Sequence, residues 1–209
     1  MDSSTNMCQR RHITSKLCKG RANCARRIFE ALCFKGVSVK IKDSLHDFIS
    51  LTDNKKLWED VLNTSERNAV LIAGAAFDTQ LERLLKKYLI EDSPVSDKIA
   101  VSSVFASKIN LCYSLGILTD DERHDLNLLR DIRNAFAHNI FGCDFDNVQV
   151  KAAISNMICP KKAKANAKVV PLRTCFNIGM IILDGFLKTR LETIQPVKKL
   201  ANIKFANEA

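Results

Sequence analysis

Apolar residues recur at helical spacing along most of the chain after residue 64. Between Thr64 and Asp92, just before Pro94, steps of about 100° per residue place them on one stripe: Val70, Ala73, Phe77, Leu81, Leu84 and Tyr88. The pattern predicts a first long helix with one face toward a core. Asp78 lies beside this stripe, where an acid either pairs neighbouring helices at the surface or faces a basic site.

Three further helices are predicted by the same spacing and by terminal signals. A helix that opens at Ser102 and Ser103 stops at Gly116. The next begins at the capping box Thr119-Asp120-Asp121-Glu122 and is expected to end at about Asn139 or Ile140. The last runs from about Val170 to Thr193, before Pro196. Shorter helices are predicted around 45–51, 57–62 and 146–159, with a turn at 93–97.

These elements and their short connections predict an all-α fold, an antiparallel helical bundle with short flanking helices. We expect a single domain over residues 42–195 and a loose tail over 196–209. Residues 1–35 carry eight cations against two acids, which is +6 of the chain's net +9. We expect a basic, loosely ordered arm there, with an organelle-targeting peptide or an extension upstream of the true start as the alternatives. The remaining +3 is not the strongly basic surface of a dedicated DNA-binding fold. If the protein meets nucleic acid, most of the positive charge comes from the arm and from a basic loop over 161–168.

Eight cysteines at irregular spacings contain no C-x2-C pair, and the four histidines are scattered. This spacing predicts no metal site and no cofactor, with free thiols in a reducing compartment. The arm has no continuous apolar stretch typical of a secretory signal, and no apolar run has transmembrane length. We therefore expect a cytoplasmic protein with no membrane partner.

The most informative stretch is 131–139, whose sequence is Asp-Ile-Arg-Asn-Ala-Phe-Ala-His-Asn. Helical angles place Arg133 within the face formed by Leu126, Leu129, Ile132, Phe136 and Ile140, with Arg130 and Asn134 just beyond its edge. His138 lies one turn beyond Asn134 and roughly 140° around the axis from Arg133. The two side chains can therefore meet only over a ligand, or a second copy of the chain, at the Asn134 edge.

Two interpretations of this stretch follow from residue chemistry. In the first, Arg133 pairs with an acid, for which Asp78 is the candidate, because a guanidinium on an apolar face needs a partner, and His138 satisfies a carbonyl. Alternatively, Arg133 binds an anion through paired hydrogen bonds and His138 exchanges protons near neutral pH. The candidate site residues are thus Arg133 and His138, with Arg130, Asn134 and Asp78 as binding residues.

Three segments together resemble the mannitol operon repressor (MltR) family. They are Ser65-Glu66-Arg67 before the first long helix, 105–118 (FASKINLCYSLGIL), and 129–138 (LRDIRNAFAH), and the resemblance covers roughly residues 60–190. It implies an all-helical domain and negative regulation of transcription of a sugar-alcohol operon, through DNA or through a transcription-factor partner. No helix-turn-helix pattern is visible in the sequence.

The 133–138 segment also resembles the R-x4–6-H motif of HEPN domains, many of which are metal-independent ribonucleases that act as dimers. That resemblance implies that Arg133 steadies the scissile phosphate and that His138 acts as acid or base. Asn134, the polar residue after the arginine, fits the same motif. The expected function is therefore regulation of the MltR type, with an endoribonuclease of the HEPN type as the alternative and a non-catalytic binder of a nucleotide or small anion as a third hypothesis. The position of Arg133 on an apolar stripe, flanked by Phe136 and Ile140, also predicts a homodimer with a two-fold helix interface where both copies of His138 face one cleft.

Overall fold

The computed structural model describes residues 55–89, 93–139, 142–163 and 170–200. These residues form eight helices and no strand, which confirms the all-α prediction. The expected arm at 1–35, the helix around 45–51, Ile140 and most of the basic loop lie outside the described residues. The helices are α1 (Lys55–Asn63), α2 (Glu66–Tyr88), α3 (Pro94–Ser102), α4 (Phe105–Ser114), α5 (Asp120–His138), α6 (Val148–Asn156), α7 (Ile158–Lys162) and α8 (Leu172–Thr193).

Helix α2 is the central element and packs against α1, α3, α4, α5 and α8. Ser65 caps its start by accepting a hydrogen bond from the Asn68 amide at 3.3 Å. The predicted apolar stripe is buried from Val70 through Leu84, while Tyr88 at its end is half-buried. The helix ends at Tyr88, so the prediction that it continues to Asp92 overestimated its length.

The long helices pack with defined directions. Arg67 at the start of α2 bonds carbonyls at the end of α5, so these two helices are antiparallel. Gln80 contacts Asp184, and Lys87 contacts Leu191 one to two turns further along both helices, so α8 runs parallel to α2. Helices α6 and α7 return the chain so that α8 is antiparallel to α5. The core therefore joins one parallel helix pair to antiparallel neighbours.

Aromatic rings fill the core between these helices. Phe145, in the connection after α5, lies between Phe136 and Phe176 with ring centroids 5.9 and 5.3 Å away. At the other side Trp58 packs against Phe77 at 6.1 Å, and its indole N–H donates to Asp184 at 2.9 Å. The early helix α1 is thereby attached to α8.

Both ends of the connection between α4 and α5 follow sequence expectations. Gly116 has φ of +71°, the left-handed conformation that glycine adopts without strain. Thr119 then forms both hydrogen bonds of the predicted capping box with Glu122. Helix α5 begins and ends within about two residues of the predicted bounds.

The turn predicted at Ser93–Asp97 is wrong, because helix α3 begins at Pro94. Proline is favoured in the first turn of a helix, where its missing N–H costs no hydrogen bond. Ser93 supplies the cap by accepting from the Ser96 amide at 3.4 Å.

The single helix predicted over Asp146–Cys159 is also wrong, because it is divided at Met157 into α6 and α7. Buried Asp125 of α5 accepts hydrogen bonds from the Ile158 and Cys159 amides, each at 2.8 Å. These long-range hydrogen bonds fix the start of α7. The spacing of apolar residues over 146–159 does not predict this break. The predicted tail after residue 196 is in part attached, since the Val197 amide donates to the Tyr88 carbonyl at 2.8 Å.

Candidate functional site at the carboxyl end of helix α5

Helix α5 presents the Arg-Asn-His segment at its carboxyl-terminal end. Ile132 and Phe136 are buried in the core, as their helical angles predict. Arg133 is half-buried at the junction with α2, whereas Asn134, His138 and the capping residue Asn139 are exposed. The segment therefore fixes its apolar residues in the core and leaves its polar groups accessible to solvent.

Arg133 lies across the backbone of α2 at Gly74. A Cβ atom added at Gly74 would lie 2.8 Å from the Cδ atom of Arg133, which is closer than non-bonded carbon atoms approach in proteins. Glycine in a helix interior costs roughly 0.5–1 kcal/mol relative to alanine, and here it makes space for the arginine stem. Within the described part of the chain, the Arg133 guanidinium has neither a hydrogen bond nor an ion pair.

The predicted ion pair between Arg133 and Asp78 is wrong. Asp78 instead pairs with Lys108 of α4, whose Nζ atom lies 3.1 Å from Oδ1. The same Nζ atom lies 3.2 Å from Oε2 of Glu82, and the Lys108 side chain is only 3% exposed. A buried ammonium requires such partners, so Asp78 neutralises a lysine that the sequence pattern did not single out. Asp78 is not available as a dedicated partner of Arg133.

Arg130, another predicted binding residue, is engaged by its neighbour. Its Nε and Nη2 atoms donate to Oδ1 of Asp131 at 3.0 and 2.8 Å. Since the Arg130 and Asp131 side chains are 32% and 56% exposed, solvent screens the pair and it contributes little to stability. It nevertheless neutralises Arg130 locally, so of the two arginines in this segment only Arg133 has no carboxylate partner among the described residues.

Arg67 is a functional candidate that the sequence did not identify as a site residue. Its Nη1 atom donates to the Phe136 carbonyl at 2.5 Å, and its Nη2 atom donates to the Asn139 carbonyl at 2.6 Å. Its guanidinium also lies 5.9 Å from the centroid of the Phe136 ring. Carbonyls in the last turn of a helix lack intrahelical partners, and a cation there complements the helix dipole. Arg67 therefore caps α5 and adds positive charge beside His138.

Glu66 fixes the connection that follows α5. Its Oε2 atom accepts a hydrogen bond from the Phe145 amide at 2.7 Å. Adjacent residues at the start of α2 thus hold both the end of α5 and the chain after it. The only sequence signal for this role was the Ser65-Glu66-Arg67 segment, and its function becomes visible only with the antiparallel packing of α2 and α5.

Around Arg133, helices α2 and α5 share one exposed surface, which we call the α2/α5 face. Leu71 and Ala75 are exposed on α2, and Asn134 and Ala137 are exposed on α5. With Gly74 and Arg133 facing one another, helical angles place all four side chains on the same side of the helix pair. Arg133 and His138 flank this face, about 7.5 Å apart along the axis. A ligand over Asn134 can contact both.

His138 has no hydrogen bond or ion pair to any residue that the structure describes. The described residues therefore show neither the expected hydrogen bond from His138 to a carbonyl nor the expected ion pair between Arg133 and an acid. What the structure brings together is an imidazole, an amide and a guanidinium along one accessible edge. Their chemistry is suited to binding an anion and transferring a proton.

The described cysteines do not offer a reactive thiolate. Burial raises the pKa of Cys112 to about 12 and that of Cys175 to about 11, and burial also raises the pKa of Cys159. Cys143 is half-buried, and desolvation raises its pKa as well. A thiol nucleophile is therefore a poor explanation of any activity at these four positions.

Among residues 55–89, 93–139, 142–163 and 170–200, no three or more His, Cys, Asp or Glu side chains are grouped so as to hold a metal ion. No helix in the same ranges combines the length and apolar character needed to span a membrane.

Comparison with protein-family models, with curated proteins and with solved structures gives no match to this chain.

Proposed function

We propose that the chain is a metal-independent endoribonuclease whose substrate phosphodiester binds over Asn134, between Arg133 and His138. The observation that supports this proposal is that both side chains are accessible and have no partner among the described residues. A purely structural pair would use the arginine and the imidazole in internal contacts. Here Asp78, the acid predicted to pair with Arg133, pairs with Lys108 instead. The carbonyls at the end of α5 accept hydrogen bonds from Arg67.

In the proposed reaction, Arg133 donates hydrogen bonds to the non-bridging oxygens of the scissile phosphate and balances their developing charge. The ribose 2′-oxygen attacks phosphorus, the bond from phosphorus to the 5′-oxygen breaks, and a 2′,3′-cyclic phosphate forms. His138 either accepts the 2′-hydroxyl proton or donates a proton to the departing 5′-oxygen. One imidazole cannot perform both transfers in the same step, so the other is performed by water or by His138 of a second copy.

A homodimer through the α2/α5 face fits this requirement. The two-fold contact expected near Phe136 is wrong, because that side chain is buried within the single chain. Leu71 is 37% exposed in the single chain, and the flanking alanines allow helices to approach closely. A two-fold axis near Asn134 would place two arginines and two histidines around one cleft. The dimer is part of the proposal because it supplies the second proton-transfer group.

The test is incubation of the purified full-length chain with a labelled RNA oligonucleotide in excess chelator. Cleavage with cyclic-phosphate ends is expected, and removal of either Arg133 or His138 by alanine should slow it about 100-fold or more. Arg130→Ala is the matched control, because it removes a neighbouring arginine from the same helix whose charge is already neutralised by Asp131. Intact RNA at high protein concentration, with the fold confirmed by circular dichroism, would exclude the nuclease.

A second candidate is a regulator of transcription of the MltR type, acting with DNA or with a partner protein. The exposed Leu71 and its small neighbours favour it, because such a surface also fits a helix of another protein. In this case the chain should leave RNA intact and shift operator DNA, or bind a purified transcription factor, in a manner lost in Leu71→Glu. Absence of both interactions in the full-length chain would remove this candidate.

A further inference from the structure

A cavity of about 260 Å³ lies between the start of α5, the short helix α7 and the last turns of α8. It is separate from the Arg133 site, because α5 spans about 27 Å between its two ends. Its lining consists of Thr119, Asp121, Glu122, Cys159, Lys162, Ile182, Phe186 and Arg190.

One side of the cavity is apolar. Ile182 and Cys159 are buried, with 7% and 3% of their surfaces exposed, and half-buried Phe186 lies beside them on α8. Because burial raises the pKa of the Cys159 thiol, this group stays protonated and contributes as a small apolar surface. This side therefore suits an aliphatic or aromatic group.

The other side carries two ion pairs. Nη1 of Arg190 donates to Oε2 of Glu122 at 2.6 Å, and Lys162 pairs with Asp121. Glu122 Oε2 also accepts the Thr119 amide of the capping box at 2.8 Å. The buried acid is thus already satisfied by two donors, one of which is fixed in the backbone.

The two cations retain donors that these pairs do not use. A guanidinium has five N–H groups and an ammonium has three, whereas in the described structure the Arg190 and Lys162 side chains each bond one carboxylate. The side chains are 27% and 55% exposed, so their remaining N–H groups can reach a ligand. An added acceptor can therefore bind without displacing either acid.

We propose that this cavity binds a small monocarboxylate with an apolar body. The carboxylate would lie between Arg190 and Lys162, and the body would contact Ile182, Phe186 and Cys159. A cavity of about 150 Å³ accepts benzene, so 260 Å³ accommodates a ring or branched chain together with its carboxylate. The site is independent of RNA cleavage and stands whether or not the proposed nuclease activity does.

Three probes of nearly equal shape test the head group on the full-length chain: phenylacetate, phenylacetamide and phenethylamine. Calorimetry should give saturable binding of phenylacetate with a Kd of about 1 mM or tighter. The neutral amide should bind about tenfold more weakly, since it lacks charge-assisted hydrogen bonds, and the amine more weakly still. Equal or stronger binding of the amide or the amine would overturn the assignment, as would no binding of any probe at ten times that concentration.

Variants locate the binding. Lys162→Gln changes a largely exposed side chain and should weaken phenylacetate binding several-fold without altering the fold. Arg190→Gln should weaken it about tenfold, and its Tm reports any loss of the Glu122 pair. Lys151→Gln, on the exposed side of α6, is the control and should bind phenylacetate like the wild type. Unchanged affinity in both Lys162→Gln and Arg190→Gln would overturn the proposal.

Discussion

The stem of Arg133 crosses α2 at Gly74, where the absence of a side chain brings Arg133 Cδ within 2.8 Å of an ideal Cβ position. This contact sets how far the guanidinium extends along the α2/α5 face. The position of the proposed phosphate-binding group is therefore determined by a residue on a different helix, 59 positions earlier in the chain.

Gly74→Ala should separate activity from stability. The added methyl group must displace the arginine stem, so we expect RNA cleavage or RNA affinity to fall about tenfold or more. Alanine gains roughly 0.5–1 kcal/mol of helix stability over glycine, which offsets part of the steric cost, and Tm should change little. Thermal unfolding and cleavage rates, measured side by side, check this.

Ala152→Gly is the matched control for Gly74→Ala. It makes the reverse exchange of glycine and alanine at an exposed position inside α6, outside the α2/α5 face. It should lower Tm slightly and leave activity intact. If Gly74→Ala retained full activity, the packing of Arg133 on Gly74 would be irrelevant to the site.

Arg67→Gln should loosen the end of α5 that carries His138. It removes two charge-assisted hydrogen bonds to the Phe136 and Asn139 carbonyls, and hydrogen bonds to charged groups contribute roughly 1.5–3 kcal/mol each. Because the bond to the Asn139 carbonyl is exposed and glutamine can still donate one hydrogen bond, we expect a smaller total loss of about 2 kcal/mol in unfolding free energy, with faster amide exchange in residues 135–139. Arg67→Lys should recover only part of it, because an ammonium lacks the planar fork of donors that fits both carbonyls.

Arg130→Gln provides the comparison for Arg67, since it removes a partly exposed arginine from a surface pair. Its unfolding free energy should stay within about 0.5 kcal/mol of the wild type. Equal stability of the Arg67 and Arg130 variants would show that Arg67 does not cap α5.

The sequence predicted most of the helices because their signals are local: a stripe at helical spacing for α2, a capping box for α5 and a positive-φ glycine after α4. It missed α3, although Ser93 and Pro94 are local signals for the start of that helix, and it mispredicted one element whose cause is distant. The break at Met157 depends on Asp125, more than 30 residues earlier. In the site, the residue types at 133, 134 and 138 were visible in the sequence. The identity of each charge partner was not, because Lys108 and Arg67 reach their partners only through the packing of α2 with α4 and α5.

Removing both acids that surround Lys108 should be strongly destabilising. Asp78→Asn combined with Glu82→Gln leaves the Lys108 ammonium, whose side chain is only 3% exposed, without a carboxylate partner. We expect the free energy of unfolding, measured in urea, to fall by roughly 3 kcal/mol. Each single change should cost less, because the other acid still pairs with the lysine. Adding Lys108→Met to the double variant removes the buried charge and should restore much of the lost stability. No recovery in that triple variant would contradict this explanation.

Glu82 should also make stability depend on pH in the acid range. The hydrogen bond from Lys86, and after it the interaction with Lys108, lowers the pKa of Glu82 below its ordinary value of 4.5, although burial acts in the opposite direction. A carboxyl group whose pKa is lowered on folding stabilises the fold above its unfolded pKa and loses that contribution as pH falls through the folded value. The difference in Tm between wild type and Glu82→Gln should therefore be constant above about pH 5 and shrink at lower pH.

Glu59→Gln is the control for the pH series, because within the described ranges Glu59 forms only a partly exposed pair with Lys55 at 3.7 Å. Its Tm should stay close to that of the wild type throughout. A difference between wild type and Glu82→Gln that grew as pH fell would have the wrong sign for this carboxylate.

The α2/α5 face should be a dimer interface if one cleft requires two copies of His138. Leu71→Glu places a charge in the centre of that face, and burying it without a partner is costly. We expect the wild type to be a dimer by light scattering at micromolar concentration, with Leu71→Glu monomeric and deficient in RNA cleavage. Val148→Glu makes a similar change at an apolar side chain that is 81% exposed on α6, and it should remain dimeric and active. A wild-type monomer that cleaves RNA with full activity would instead assign the second proton transfer to water, and would leave Leu71 as a surface for another protein.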